Sequence, residues 1–291
     1  MTSHHAPAGG TCNELNKRAK DMKTSTRVSI CAVAVGLALA GAARAEGVKF
    51  MDPTGDDKGP GGYVYPTDGV YTPGSFDLTE FEITGGDSPD VKVTVNDKLA
   101  DPWGMGVGFA TQMVFIFIDK DGKAGSGHAE GVPGLNVAFA PESAWEKVII
   151  LSPQPQSRVL SEIKAKVPTL AADLVVPRRT SGAGKTISAK VKLEDLGGGD
   201  PSQWGYQVVV QSNEGFPDKG DLLTRNANEF EGQHRFGGGN DSDCDPELMD
   251  ILAGKGEGKP EETQAQYDML KYECGADGGS VKKATLVMVR K

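Results

Sequence analysis

Residues 76–97, FDLTEFEITGGDSPDVKVTVND, alternate apolar and polar side chains on both sides of a Gly-Gly-Asp-Ser-Pro turn. Period two is the side-chain spacing of a strand, so the segment fits a hairpin with one buried face and offers no continuous stripe to a helix. Phe76, Leu78, Phe81 and Ile83 point largely to one side once a bulge absorbs their offset, and Val91, Val93 and Val95 supply the facing strand. Thr111–Ile118, TQMVFIFI, is apolar throughout, as expected of a strand covered on both faces. Short turn-bounded runs follow at 135–139, 147–151, 170–176, 186–193, 206–211 and 284–290. The expected fold class is all-β, an antiparallel β-sandwich, with one or two short C-terminal helices. The first helix is read from Asp245 as cap and Pro246 at the first position ahead of LMDILA, ending at Gly254. The second is read over Pro260–Cys274. No internal repeat is present.

Met22–Ala45 reads as a secretory signal: Lys23 and Arg27 precede an apolar run from Val28 to Ala40, and small residues end in Ala43-Arg44-Ala45. Residues 1–21 are long and polar for the start of such a signal, which makes Met22 an alternative start. Cys31 raises a lipoprotein anchor as a competitor, but it sits in the middle of the apolar run. The expected organisation is a leader over 1–45 and one domain over 46–291, placed in the periplasm, outside the cell or on its surface, with no transmembrane segment in the mature chain.

The leader holds six of the 31 Lys and Arg and two of the 40 Asp and Glu, leaving 25 against 38, a formal charge of −13. Such a surface repels nucleic acid and anionic lipid and suits neutral or cationic partners and metal ions. Nucleic-acid functions are set aside on this ground. Cys244 and Cys274 are the two cysteines left in the exported chain, and a disulfide is the economical reading.

The densest mixture of acids, aromatics and turn formers is Phe50–Leu78, FMDPTGDDKGPGGYVYPTDGVYTPGSFDL. Asp52, Asp56 and Asp57 crowd three carboxylates into six residues, a repulsion that a hard cation such as calcium relieves. A disordered acidic linker is the alternative, against which stand Tyr63, Tyr65, Tyr71 and Phe76. A second acidic loop runs Asp119-Lys120-Asp121-Gly122. It departs from an EF-hand because Lys123 and Ala124 occupy positions that need a ligand and a glycine, and because a strand precedes it. A calcium site of another geometry and a plain acidic turn both stay open there.

Several ordered blocks carry a family resemblance: DPTGDDKGPGGYVYPTD, GSFDLTEFEI, DPWG at 101–104, IDKDGKAGSG at 118–127, PGLN at 133–136, AWEKVI, HRFGGGNDSDCDPELMDILA and QAQYDMLKYEC. Together they resemble the C-terminal domain of glucodextranase, which is itself similar to DOMON-like sandwiches and family 9 carbohydrate-binding modules. The resemblance implies an exported, noncatalytic sandwich that binds a polysaccharide or cell-surface glycan. It also implies structural calcium, carried over to Asp52, Asp56, Asp57, Asp119 and Asp121.

Sugar faces stack on flat rings beside amides and carboxylates. Trp103 and Trp204 lie in similar turns and are read as candidates for exposure, with plugging the sandwich ends as the alternative. Trp145 opens an apolar strand as core or rim. Tyr63, Tyr65, Gln112, Asn136 and Asn240 are weaker candidates from the matched blocks. Catalytic signals fail. Gly184-Lys185-Thr186 has Arg179 where a phosphate loop needs its first glycine, and no nucleophile motif accompanies His128 or His234. Two rivals to glycan binding remain, an envelope structural or adhesion role with a protein partner, and a haem carrier ligated by His128 with Met105 or Met113.

Overall fold

The structure, a computed structural model, describes residues 47–291. The leader read at 1–45 lies outside the described residues. Strand β1 (Val48–Met51) is followed by the period-two hairpin, which forms as β2 (Leu78–Ile83) and β3 (Asp90–Val95) with a register shift between Leu78 and Glu80. Next come β4 (Gln112–Asp119), β5 (Val137–Phe139), β6 (Lys147–Leu151), helix α1 (Gln156–Lys166) and β7 (Leu174–Val175). The chain continues through β8 (Thr180–Ala183), β9 (Thr186–Lys190), β10 (Gly205–Ser212), β11 (Asp250–Ile251) and helix α2 (Glu262–Met269). It ends with β12 (Glu273–Cys274), β13 (Ser280–Lys282) and β14 (Ala284–Leu286).

Two five-stranded sheets form the sandwich, one ordered β1-β2-β3-β9-β8 and the other β11-β10-β4-β6-β7. Pairing is antiparallel except between β6 and β7 and in the small β14–β5 pair. The first sheet turns Phe81, Ile83, Val91, Val93 and Ile187 onto Val114, Ile116, Ile118, Val208 and Val210 of the second. The second sheet is buried on its outer face as well, where Phe115, Phe117, Ile150 and Val209 meet Val159 and Ile163 of α1 and Leu286 of β14. All eight residues of β4 and of β10 are therefore buried. This accounts for the apolar run Met113–Ile118 in β4 and Val208–Val210 in β10, where β2 and β3 alternate.

Three sequence readings are corrected. Helix α1 went unread because only Val159 and Ile163, four residues apart, face the core, too short a stripe to stand out. The helix read from Asp245 to Gly254 is extended chain. Met249 and Leu252 donate backbone hydrogen bonds to Val210 and Val208 of β10 at 3.0 and 2.9 Å, and pairing along a sheet edge outweighs the local cap signal. The final helix stops at Met269 instead of running to Cys274. The Cys244–Cys274 disulfide forms, joining a loop to β12.

Candidate functional site

Because β1 stands opposite β11, and β8 opposite β7, the sandwich has two open sides, or seams. The first is closed by the segment the sequence singled out. Gly59 adopts φ +55°, where a Cβ would meet the Tyr63 ring at 2.3 Å, so only glycine fits this turn. Its N–H donates to the Met249 carbonyl at 2.8 Å, tying the loop to the chain entering β11. Asp52, Asp56 and Asp250 then bring carboxylate oxygens within 4.8 Å of one another, all three buried. Asp250 crosses the seam, accepting from the Leu78 N–H at the start of β2 at 2.6 Å. Asp52 accepts from the Ala253 N–H at 3.1 Å, and Asp77 accepts from Gly55 N–H and Asn96 Nδ2, both at 2.9 Å.

These bonds leave Asp52 Oδ2, both Asp56 oxygens and Asp77 Oδ1 buried without a hydrogen-bond partner. Burial is the main cause that drives the Asp52 and Asp250 carboxyls well up, with mutual repulsion added. It also lifts Asp56 and Asp77 to about 6. A buried carboxylate with a bare oxygen is costly unless a proton or a cation meets it. The donors are all oxygen, and Asp52, Asp56 and Asp250 bring theirs close enough to share one ion, which is the set a hard divalent cation takes. Asp57 lies beside them with one oxygen engaged by the Tyr65 hydroxyl, which itself accepts from the Phe76 N–H at 3.0 Å.

The second acidic loop is brought together too, since Asp119, Asp121 and Glu146 meet within the same 4.8 Å. Its oxygens are engaged. Asp119 accepts from the Asp121 and Gly122 N–H groups at 3.1 and 2.7 Å and from the Arg290 guanidinium. Asp121 accepts from the Lys123 N–H at 2.9 Å, which holds its carboxyl below the usual range, and Glu146 accepts from the Lys120 N–H at 2.8 Å.

The aromatic candidates separate. Trp103 is 38% exposed and stands edge-on to Tyr71 and His234, with centroids at 6.2 and 6.4 Å. Trp204 is 3% exposed, packed against Tyr206 under the Lys120 ammonium, so the exposure read for it is corrected. It lies at the Gly205 end of β10, while Tyr71 and Gln112 gather at the Ser212 end, roughly 24 Å of strand away at about 3.4 Å per residue. The two tryptophans therefore do not share a groove. Trp145 is fully buried, donating from Nε1 to the Glu130 carbonyl.

Tyr63 is buried with its hydroxyl on Asp245, Gln112 is buried with its amide on the Ser75 carbonyl, and Asn136 bonds the Asp243 and Asp245 carbonyls. Tyr65 is spent on Asp57, and the Asn240 side chain accepts from the Ser242 N–H. These groups fix loops and offer little to a ligand. His128 bonds Asp173 and packs on Trp145, next to the Ile118 end of β4, whereas Met113 is buried near the other end and Met105 belongs to the loop of Trp103. The pairing of His128 with Met105 or Met113 is therefore not assembled among the described residues.

Residues 48–288 match the family model of Glucodextran_C, described as the C-terminal binding-module, SLH-like, of glucodextranase. The chain belongs to this family. No curated protein matches it. In this Glucodextran_C module, sequence reasoning singled out Asp52 and Asp56 of the buried carboxylate cluster but not Asp77 and Asp250. Each of those two sits in or beside a strand-like run whose apolar neighbours hide it, and only the closure of the first seam brings them to the loop acids. Among the described residues no helix is long and apolar enough to cross a membrane.

Proposed function

We propose that the module binds carbohydrate without transforming it, with Trp103 as its stacking platform and calcium as a structural ion in the first seam. Membership of a family of binding modules carries this reading. Trp103 locates it, because it is the tryptophan with an exposed ring and its neighbours Tyr71 and His234 hold that ring on edge instead of covering it. Polar partners for hydroxyls lie close by in Asp68 and Gln233, joined by a 3.0 Å hydrogen bond beside His234. The SLH-like character of the family supports attachment at a cell surface.

Calcium would be held by Asp52, Asp56 and Asp250, with Asp77 beside them, and supplies when bound the positive charge these buried carboxylates lack. The residues themselves tie β1, β2 and β11 together and exclude water from the cluster. The test is retention on affinity gels containing α-glucans, other polysaccharides or cell-wall material. The module is expected to be retarded by at least one, and Trp103→Ala to lose that retardation with an unchanged melting temperature. A wild-type protein that passes every gel unretarded overturns the reading.

A further inference from the structure

The second seam is open. Between β7 and the β8–β9 hairpin runs a groove of about 910 Å³, floored by Val175, Val176, Ala189 and Val191. A smaller hollow of about 220 Å³ continues it, sharing Val176, Arg178 and Arg179, and reaches Met105, two residues from Trp103. The volume lies in the range of ligand clefts.

Its charge is opposite to that of the whole chain. Arg178, Arg179, Lys190 and Lys192 line the groove against Asp90 and Asp195, and Asp90 is taken by Lys190 at 2.7 Å. Four of the six arginines in the described residues are committed, Arg158 to the Gly215 carbonyl, Arg225 to Glu214, Arg235 to the Phe230 carbonyl and Arg290 to Asp119. Arg178 and Arg179, both exposed at the junction of the two hollows, have no hydrogen-bond or ion-pair partner among the described residues. Two adjacent free guanidiniums in an otherwise acidic protein match planar anions, which they hold bidentately. An apolar floor with a polar rim matches the C–H face and hydroxyls of a sugar.

We propose that the ligand is an acidic polysaccharide whose chain runs from the Trp103 platform into this groove, with its carboxylates held by Arg178 and Arg179. The proposal rests on the carbohydrate-binding reading above and narrows it from glycans in general to uronate-bearing ones. The sequence-wide charge pointed to neutral or cationic partners. The groove reverses that locally, and field lines focused in a concave site act on a ligand more strongly than the net charge does.

The experiment is affinity electrophoresis and titration calorimetry with polygalacturonate as the acidic probe and dextran as the neutral one. The wild type, Arg178→Ala/Arg179→Ala, Trp103→Ala and a charge control, Lys164→Ala/Lys255→Ala, are compared, all checked for unchanged melting. Polygalacturonate is expected to bind more tightly than dextran, with affinity falling as salt rises. The arginine pair variant is expected to lose about tenfold or more toward polygalacturonate while the charge control binds as wild type. Equal binding of the two polymers, or equal loss in the charge control, overturns the groove. Polygalacturonate binding that Trp103→Ala abolishes and the arginine variant leaves intact overturns the groove alone. Absence of binding to any polysaccharide overturns the underlying reading as well.

Discussion

The two seams of the sandwich are built from the same kind of edge strands yet end in opposite states. One is sealed: Asp250 reaches across to β2, the chain after β11 returns to β1 through the Met51 to Gly256 bond at 2.9 Å, and carboxylates are trapped inside with oxygens left bare. The other is left open, with guanidiniums facing solvent. The contrast teaches that the sign of a protein's total charge predicts neither place. Buried acids with bare oxygens and exposed guanidiniums without partners coexist among the described residues, and these are the two places where the proposals above seat a partner from outside the chain.

The comparison breaks first at the sealed seam. If calcium completes it, EDTA lowers the melting temperature. At calcium a hundredfold above its dissociation constant the linkage is worth about 2.7 kcal/mol, or roughly 5–11 °C for a domain of this size. Asp56→Asn is expected to melt at one temperature with or without calcium, and a chelator that leaves wild-type melting unmoved removes the ion from the seam.

A smaller effect sharpens the same point through pH. Without metal, Asp56 and Asp77 titrate near 6 in the folded protein, above their unfolded value, so the folded state binds more protons. Stability of the chelated protein is therefore greatest in mild acid and is lost as pH rises through about 6. With calcium the dependence reverses, because protons compete with the ion for the same oxygens. Melting curves from pH 4.5 to 7.5 with and without calcium are expected to converge in acid and diverge at neutrality, and parallel curves would count against the ion.

The smallest effect belongs to the second acidic loop. Asp121 is exposed and its oxygens are met by Lys123 and Ser126, so Asp121→Asn is expected to move melting by no more than about 2 °C and to leave the calcium-dependent shift intact. A variant that abolished the shift would transfer the ion to the loop that looks more like a calcium motif in sequence. The lesson is that acids at suggestive spacing differ less in their own identity than in how many donors the fold has already spent on them.

Legibility followed the range of the interactions. The β2–β3 hairpin and the doubly buried β4 were readable because their side-chain patterns are local consequences of the faces they cover, whereas 206–211 was read as a strand without its burial on both faces. Extended chain at 246–249 was not, since its partner β10 lies far back in the sequence while the cap signal of Asp245 and Pro246 is immediate. Asp250 was hidden for the same reason: its bond to Leu78 spans 172 residues. The turns of Trp103 and Trp204 look alike, yet one ring stands at an open end and the other plugs the core beside Tyr206, a difference set by neighbours that neither turn encodes.

The disulfide has a further consequence. Cys244 and Cys274 bracket β11 and α2, so one covalent ring contains Asp250 together with Gln266, whose Oε1 accepts from the Ile251 N–H at 3.1 Å. Thiol oxidation narrows the wandering of that stretch in the unfolded chain, so the crosslink restrains the very segment that carries Asp250 to the proposed cation site.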